Sequence, residues 1–290
     1  MTTGRYARLD DRGIVAVSGA EAAHFLQGLQ TANIDRVVET GAGFGALLTP
    51  QGKILFDFLV AHRDGTFFFD LPKASAADFA RRLGFYKLRA KVDIAPRPDL
   101  AVVVGWGAPA PGLAAEATIA DPRHGALGWR AYAGAVPDAL AGYETTDAAA
   151  WHAHRIGLGV PEAGQDFDYG EVFPHDVDMD CLAGLDFKKG CYVGQEVVSR
   201  MQHRSTARRR VVLASATDAL PIAGTEITAG GKAVGTLGSS AGTSGLALVR
   251  LDRAKAAMDA GAPIVAAGVA LELTLPAFAS FSWPSEADGE

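Results

Sequence analysis

Asp186-Phe187-Lys188-Lys189-Gly190-Cys191-Tyr192-Val193-Gly194-Gln195-Glu196 is the most chemically dense stretch of this 290-residue chain. Two glycines bracket a cysteine and an aromatic. Gly190 and Gly194 can take backbone angles closed to other residues, or admit a close approach to the main chain. Lys188 and Lys189 precede the thiol, and a nearby cation favours thiolate, the form that reacts or binds metal. Tyr192 offers a flat face for a ring, and Gln195 and Glu196 offer an amide and a carboxylate. Spacing alone leaves two readings open: a reactive thiol in a ligand site, or a glycine-rich turn around a structural cysteine.

Working outward, charge is concentrated beside this segment. Between Lys188 and Arg210 stand Lys188, Lys189, Arg200, Arg204, Arg208, Arg209 and Arg210, with Glu196 as the one acid, in a chain of net charge −6. Such a patch attracts a carboxylate tail, a phosphate or RNA; the alternative is a set of solvated or ion-paired arginines. Lys189 and Arg200 flank the cysteine and are expected at a pocket. Arg208-Arg209-Arg210 run into Val211-Val212-Leu213 and are expected at a domain junction or the surface. The acidic total argues against a nucleic-acid coat. Cys181, set among Leu182, Ala183 and Leu185, reads as a small buried hydrophobe. Two thiols make neither a disulfide framework nor a zinc pattern, and fit a reducing compartment.

The rest of the chain reads as α+β. Hydrophobic residues make up 49% and charged residues 21%, ample for a large core. Residues 13–17 are strand-like. Ser18-Gly19-Ala20-Glu21 has capping-box spacing before a helix carrying Ala22, Phe25, Leu26 and Leu29. Ile54, Phe56, Phe58 and Val60 alternate toward Asp64-Gly65, which predicts a hairpin over 52–70. A helix is expected over 73–87, with Ala76, Phe79, Ala80 and Leu83 on one face, and another over 147–158 with Trp151 and Arg155 on one side. Pro and Gly at 96–112 mark an internal lobe boundary. Asp121-Pro122-Arg123 reads as a turn, and Phe173-Pro174-His175-Asp176 as a polar loop. After residue 205, short strands separated by glycines, with a helix near 252–260, predict a small β-barrel. Residues 285–290 read as a disordered tail. The first residues lack the apolar core of a signal peptide, and no run reaches a membrane span. The expectation is a cytoplasmic protein with no membrane partner.

Lys189-Gly190-Cys191-Tyr192-Val193-Gly194-Gln195-Glu196 resembles the hallmark of the YgfZ family, folate-binding relatives of the glycine-cleavage T-protein. Phe25-Leu26-Gln27-Gly28-Leu29, Leu48-Thr49-Pro50-Gln51-Gly52-Lys53, Asp121-Pro122-Arg123 and Arg155-Ile156-Gly157-Leu158-Gly159-Val160-Pro161 look like further blocks of that family in the expected order. The resemblance implies a T-protein-like fold: two α+β lobes around a central pocket within residues 1–204, one of them open to being discontinuous, and a C-terminal barrel over 205–284. It implies a tetrahydrofolate-binding protein that assists assembly or repair of iron–sulfur clusters in client enzymes, with an indirect effect on tRNA modification. Cys191 is then the functional thiol and a candidate ligand for a transient cluster. Lys189, Gly190, Tyr192, Gly194, Gln195, Glu196, Arg200 and Arg155 are the candidate folate contacts. Members of the T-protein family carry a pterin-holding carboxylate where this chain has Gly157, which argues against aminomethyl transfer, and the expectation is a protein that is not a conventional enzyme. The alternatives are a folate-dependent aminomethyl or one-carbon transferase, and an RNA-binding accessory module. Expected partners are a folate and iron–sulfur client enzymes or assembly proteins. One cysteine cannot complete a four-thiolate cluster site, so other ligands must come from elsewhere.

Overall fold

The computed structural model describes residues 3–204 and 207–284. The expected 285–290 tail lies outside the described residues. In chain order the elements are β1 (Gly4–Leu9), β2 (Arg12–Ser18), α1 (Ala22–Gln27), α2 (Ile34–Thr40), β3 (Ala42–Leu48), β4 (Ile54–Arg63), β5 (Thr66–Pro72), α3 (Lys73–Lys87), β6 (Asp93–Pro96), β7 (Ala101–Trp106), β8 (Ala117–Ala120), β9 (Trp129–Ala133), β10 (Tyr143–Thr145) and α4 (Ala148–Gly157). Then follow α5 (Gln195–Arg204), β11 (Arg209–Ser215), β12 (Glu226–Ala229), β13 (Lys232–Ala241), β14 (Ser244–Arg250), α6 (Leu251–Asp259), β15 (Ile264–Ala266), β16 (Val269–Ala270) and β17 (Glu272–Thr274). No helix among the described residues is long and apolar enough to cross a membrane.

The chain divides into two compact units. One holds residues 1–151 with 182–195, the other 152–181 with 196–290. Residues 152–181 thus group with the C-terminal strands rather than with the N-terminal residues.

In the first unit, β3-β4-β5-β2-β6 form one sheet and β10-β1-β7-β9-β8 a second. The chain passes between them after Leu9 and again between Pro96 and Ala101, within the Pro- and Gly-rich stretch. The first sheet is anchored by the β4–β5 hairpin. Asp64 and Gly65 both take positive φ, 48° and 77°, matching a two-residue loop whose twist suits the strands. Phe58, Phe69 and Phe79 pack as a trio with ring centroids 5.0, 5.2 and 5.3 Å apart. Phe79 and Leu83 bury the inner face of α3 against this sheet. The Ser18–Glu21 capping box does not form. Glu21 itself is the N-cap of α1 without a side-chain bond, and its carboxylate instead accepts the Lys91 N–H at 2.5 Å. A partner distant in sequence displaces the local one.

Buried ions join the two sheets. Asp70 on β5 accepts from Arg12 Nε on β2 at 2.7 Å and from Arg130 Nη1 on β9 at 2.8 Å. Asp121 accepts from Arg130 Nε at 3.0 Å and from Arg123 Nη2 at 2.8 Å. Burial raises the Asp121 carboxyl, but the Arg123 and Arg130 guanidinium groups outweigh it and hold the carboxyl below the usual range. Asp121 does bond the Arg123 N–H as a turn residue should. Its larger role, at a buried ionic junction, is a correction to the plain turn expected of it, made possible by Arg130 arriving from β9.

In the second unit, β16-β15-β12-β13-β14-β11-β17 make the C-terminal sheet, closed over a core that includes Val212, Ile227, Leu237, Val249 and Ala254. The Phe173–Asp176 segment is no polar surface loop. Pro174–Val177 form a 3₁₀ turn with His175, Asp176 and Asp178 buried. Arg209 and Arg210 explain the burial, because they supply the counter-charges. Arg209 Nη2 meets Asp176 at 2.6 Å, and Arg210 clamps Asp180 at 2.6 and 2.9 Å. Arg210 is therefore a buried structural cation rather than a surface one.

Candidate functional site

Cys191 is exposed, on a loop that the first unit grips at both ends. Asp186 organises the near end. Its Oδ1 accepts the N–H groups of Lys188 and Lys189 at 2.7 and 2.9 Å. Burial raises the Asp186 carboxyl, but these donors and the Asn33 side chain hold it below the usual range. Lys189 then turns inward. Its Nζ donates to the Gln30 carbonyl at 2.5 Å and the Ala32 carbonyl at 2.7 Å. Thr31 completes the seat by donating its hydroxyl to the Gly184 carbonyl at 2.6 Å and accepting the Asp186 N–H on its own carbonyl at 3.2 Å. Burial pulls the Lys189 amine down to about 8, against the opposing pull of Asp186 and Asp35.

Tyr192 and Gly194 secure the far end. Tyr192 is 7% exposed, the same as Lys189, and its ring lies 5.3 Å from the Lys189 ammonium. Its hydroxyl is buried with no hydrogen-bond partner among the described residues, and burial, aided by Asp186, pushes it up to about 12. Gly194 has φ of +82°, and a Cβ there would lie 2.6 Å from the Thr49 carbonyl oxygen and 3.1 Å from Gly52 Cα. Glycine is required twice over, for the backbone angle and for the approach to the β3–β4 turn. Gly190 is different: a Cβ there meets nothing within 4 Å. Gln195 Oε1 accepts the Tyr192 N–H at 3.3 Å as α5 begins. The loop thus alternates two buried anchors, Lys189 and Tyr192, with two exposed residues between them, Gly190 and Cys191.

The expected contacts are distributed in a way that changes their roles. Lys189 spends its charge on backbone carbonyls. Tyr192 is packed inside and presents no open face. Arg200 is exposed on α5 and pairs with Glu196 at 3.0 Å across one helical turn. Arg155, in the second unit, is fully buried. Its Nη1 donates to Asp166 at 2.8 Å, its Nη2 to Gln165 and Ser239 at 2.9 and 3.0 Å, and its Nε lies 3.2 Å from Glu162. The donors of Lys189 and Arg155 are therefore engaged by the protein itself, whereas the buried Tyr192 hydroxyl is unpartnered among the described residues. Cys181 is likewise not the buried hydrophobe expected. It is half-exposed, with Sγ 3.1 Å from the Ser280 hydroxyl, and burial together with Asp180 raises its thiol.

Among the described residues, no group of three or more His, Cys, Asp or Glu side chains is placed to hold a metal ion. Cys191 offers one sulfur. Sequence reasoning missed the seat at Gln30–Ala32, although the block ending at Leu29 and the block Leu48–Lys53 adjoin the two places where the loop docks.

The two-sheet first unit and the C-terminal barrel define a protein with the aminomethyltransferase T fold. The crystal structure of glycine cleavage system aminomethyltransferase T from Bartonella henselae matches 96% of this chain and 87% of its own with a TM-score of 0.70, at 15% identity. The family model for the CAF17 C-terminal beta-barrel domain matches residues 208–281. The mitochondrial iron–sulfur cluster assembly factor IBA57 of Homo sapiens is 31% identical across 96% of this chain and 85% of its own length. The IBA57 homologue of Mycosarcoma maydis is also 31% identical, across 73% of this chain, which spans 57% of that relative's length. The protein of Mus musculus is 29% identical across 86% of this chain and 78% of its own. The chain belongs to the IBA57 family of iron–sulfur cluster assembly factors. The YgfZ resemblance thus holds for the broader group that shares this fold. The cytoplasmic expectation is overturned, because these relatives are named as mitochondrial proteins.

Proposed function

We propose that this protein assists the assembly or repair of iron–sulfur clusters in client enzymes, and that Cys191 is its working thiol. The observation that carries this reading is the placement of Cys191: an exposed sulfur on a loop pinned by Lys189 and Tyr192 on either side. Holding the backbone on both sides of an accessible thiol lowers the entropy lost when that sulfur engages a metal centre. A cluster bound by thiolates takes four. Cys191 therefore contributes one ligand to a cluster whose other ligands come from a partner protein or small thiols. The cluster is cargo, and any effect on tRNA modification is indirect, through a cluster-dependent enzyme.

A tetrahydrofolate ligand stays in the proposal on the strength of the sequence resemblance alone. No step is assigned to it, and the Lys189 and Arg155 donors already bond groups of the protein.

The test is complementation of a strain lacking this protein, scored by the activity of a cluster-dependent enzyme. Cys191→Ser is expected to fail while Cys181→Ser succeeds. Equal rescue by both would overturn the assignment of Cys191.

A further inference from the structure

The outer side of α3 and the turn that follows it carry an exposed apolar pair within a cluster of cations. Phe79 and Leu83 bury the inner face of the helix. At about 100° per residue, Phe85 points away from both, on the solvent side. Phe85 is 66% exposed and Leu88, just past the helix end, is 89% exposed. Arg81 and Phe85, four residues apart, share one exposed face of the helix, and Leu88 follows directly after its last residue, Lys87. Leu88 also sits at φ of +44°. A bulky side chain rarely occupies that region, and such strain persists where function requires it.

Charge surrounds the pair. Residues 81–91 contain Arg81, Arg82, Lys87, Arg89 and Lys91 and no acid. Arg81 pairs with Asp78 at 2.8 Å. Arg82, Lys87, Arg89 and Lys91 make no side-chain ion pair among the described residues. Of the neighbouring acids, Glu21 is engaged by the Lys91 N–H, and Asp93 follows on β6.

We propose that the C-terminal end of α3, with Phe85 and Leu88 as anchors and Arg82, Lys87, Arg89 and Lys91 around them, is a docking surface for a partner protein that presents an apolar groove rimmed by acidic residues. The charge distribution selects a protein over a lipid surface. The chain is −6 overall, so everything outside this +5 segment sums to −11. An extended anionic membrane repels that remainder, whereas a compact acidic rim meets only the patch. A second copy of the same surface is disfavoured by like charge. This surface is separate from the Cys191 thiol and stands whether or not the thiol has its proposed role.

The experiment installs benzoyl-phenylalanine at position 85 of the full chain and crosslinks in cells. The crosslinked protein is then sequenced, purified and titrated. The expected result is a crosslink to an acidic segment, with affinity at least about tenfold weaker for Phe85→Ser/Leu88→Gly and for Lys87→Glu/Arg89→Glu. Wild-type binding should also weaken steadily from about 0.15 M to about 1 M salt. Leu88→Gly removes the strain at φ +44°, so the apolar variant should melt no lower than Phe85→Ser alone. Alkylation of Cys191 should be unchanged. The proposal is overturned by equal binding of wild type and both variants, by the absence of any protein crosslink, or by self-association lost in the variants. Vesicles of phosphatidylcholine and phosphatidylglycerol that bind wild type but not the variants would also overturn it, in favour of a membrane.

Discussion

Lys189 reaches across 159 positions of sequence to give its ammonium proton to the Gln30 carbonyl oxygen at 2.5 Å. That bond and its twin to Ala32 make Lys189 the pin of the cysteine loop rather than a cation offered to a ligand. Replacing it with methionine leaves both carbonyls without this donor, and should destabilise the protein by roughly 1–3 kcal/mol. Urea unfolding of Lys189→Met reads this directly. A variant as stable as wild type would refute the pinning role.

The same residue predicts a pH dependence. Its amine titrates near 8 in the folded protein against an ordinary 10.5, because burial disfavours the charge. The folded state therefore loses this proton before the unfolded state does. Between pH 8 and 10.5 the unfolded chain binds more protons at this site, so its contribution to stability rises with pH. Below pH 8 both states are protonated and the burial penalty is fully present. The increment should vanish in Lys189→Met, and a carbon-13 titration of dimethylated Lys189 should show its midpoint well below that of exposed lysines.

Gly194 and Gly190 should respond differently to alanine. Gly194→Ala forces a side chain into the left-handed region and against the Thr49 carbonyl. A cost of about 1–3 kcal/mol is expected from that strain. Gly190→Ala meets open space and should stay within about 0.5 kcal/mol of wild type. Thermal melting distinguishes the pair, and equal effects would contradict the loop geometry.

Thiol reactivity offers a direct comparison. Cys191 is exposed, whereas Cys181 is half-exposed, bonded to Ser280 and raised in pKa by burial and Asp180. Iodoacetamide near neutral pH should modify Cys191 first, because the reactive form is the accessible thiolate. Mass spectrometry of partly labelled protein gives the order, and faster labelling of Cys181 would count against the structure.

Arg130 is the shared cation between Asp70 and Asp121. Arg130→Met leaves carboxylates buried beside fewer positive charges, and loss of one partner from a buried pair typically costs about 3–5 kcal/mol. Asp70→Asn should be comparably harmful, and the double variant less harmful than the sum, since the two share an interaction. Additive losses in denaturant titrations would argue against direct coupling.

Local sequence determined the elements whose signals are local. Asp64-Gly65 specifies a turn with two positive φ angles, and the α3 periodicity places Phe79 and Leu83 inward over 73–87. The Lys189–Glu196 motif singled out Cys191 because glycine, lysine and thiol chemistry are readable at short spacing. What tertiary structure alone decided is which charges are available. Lys189, Arg155, Arg210 and Asp121 all looked like surface or site groups in sequence. Each is buried and hydrogen-bonded by partners the spacing of residues does not reveal: two distant carbonyls for Lys189, Asp166 and Ser239 for Arg155, Asp180 for Arg210, Arg130 for Asp121. A charge leaves water only where compensation comes to meet it. Whether it does depends on chain segments converging from far apart, so sequence singled out Cys191 as a candidate thiol while the fold determined that Lys189 beside it is committed to pinning its loop.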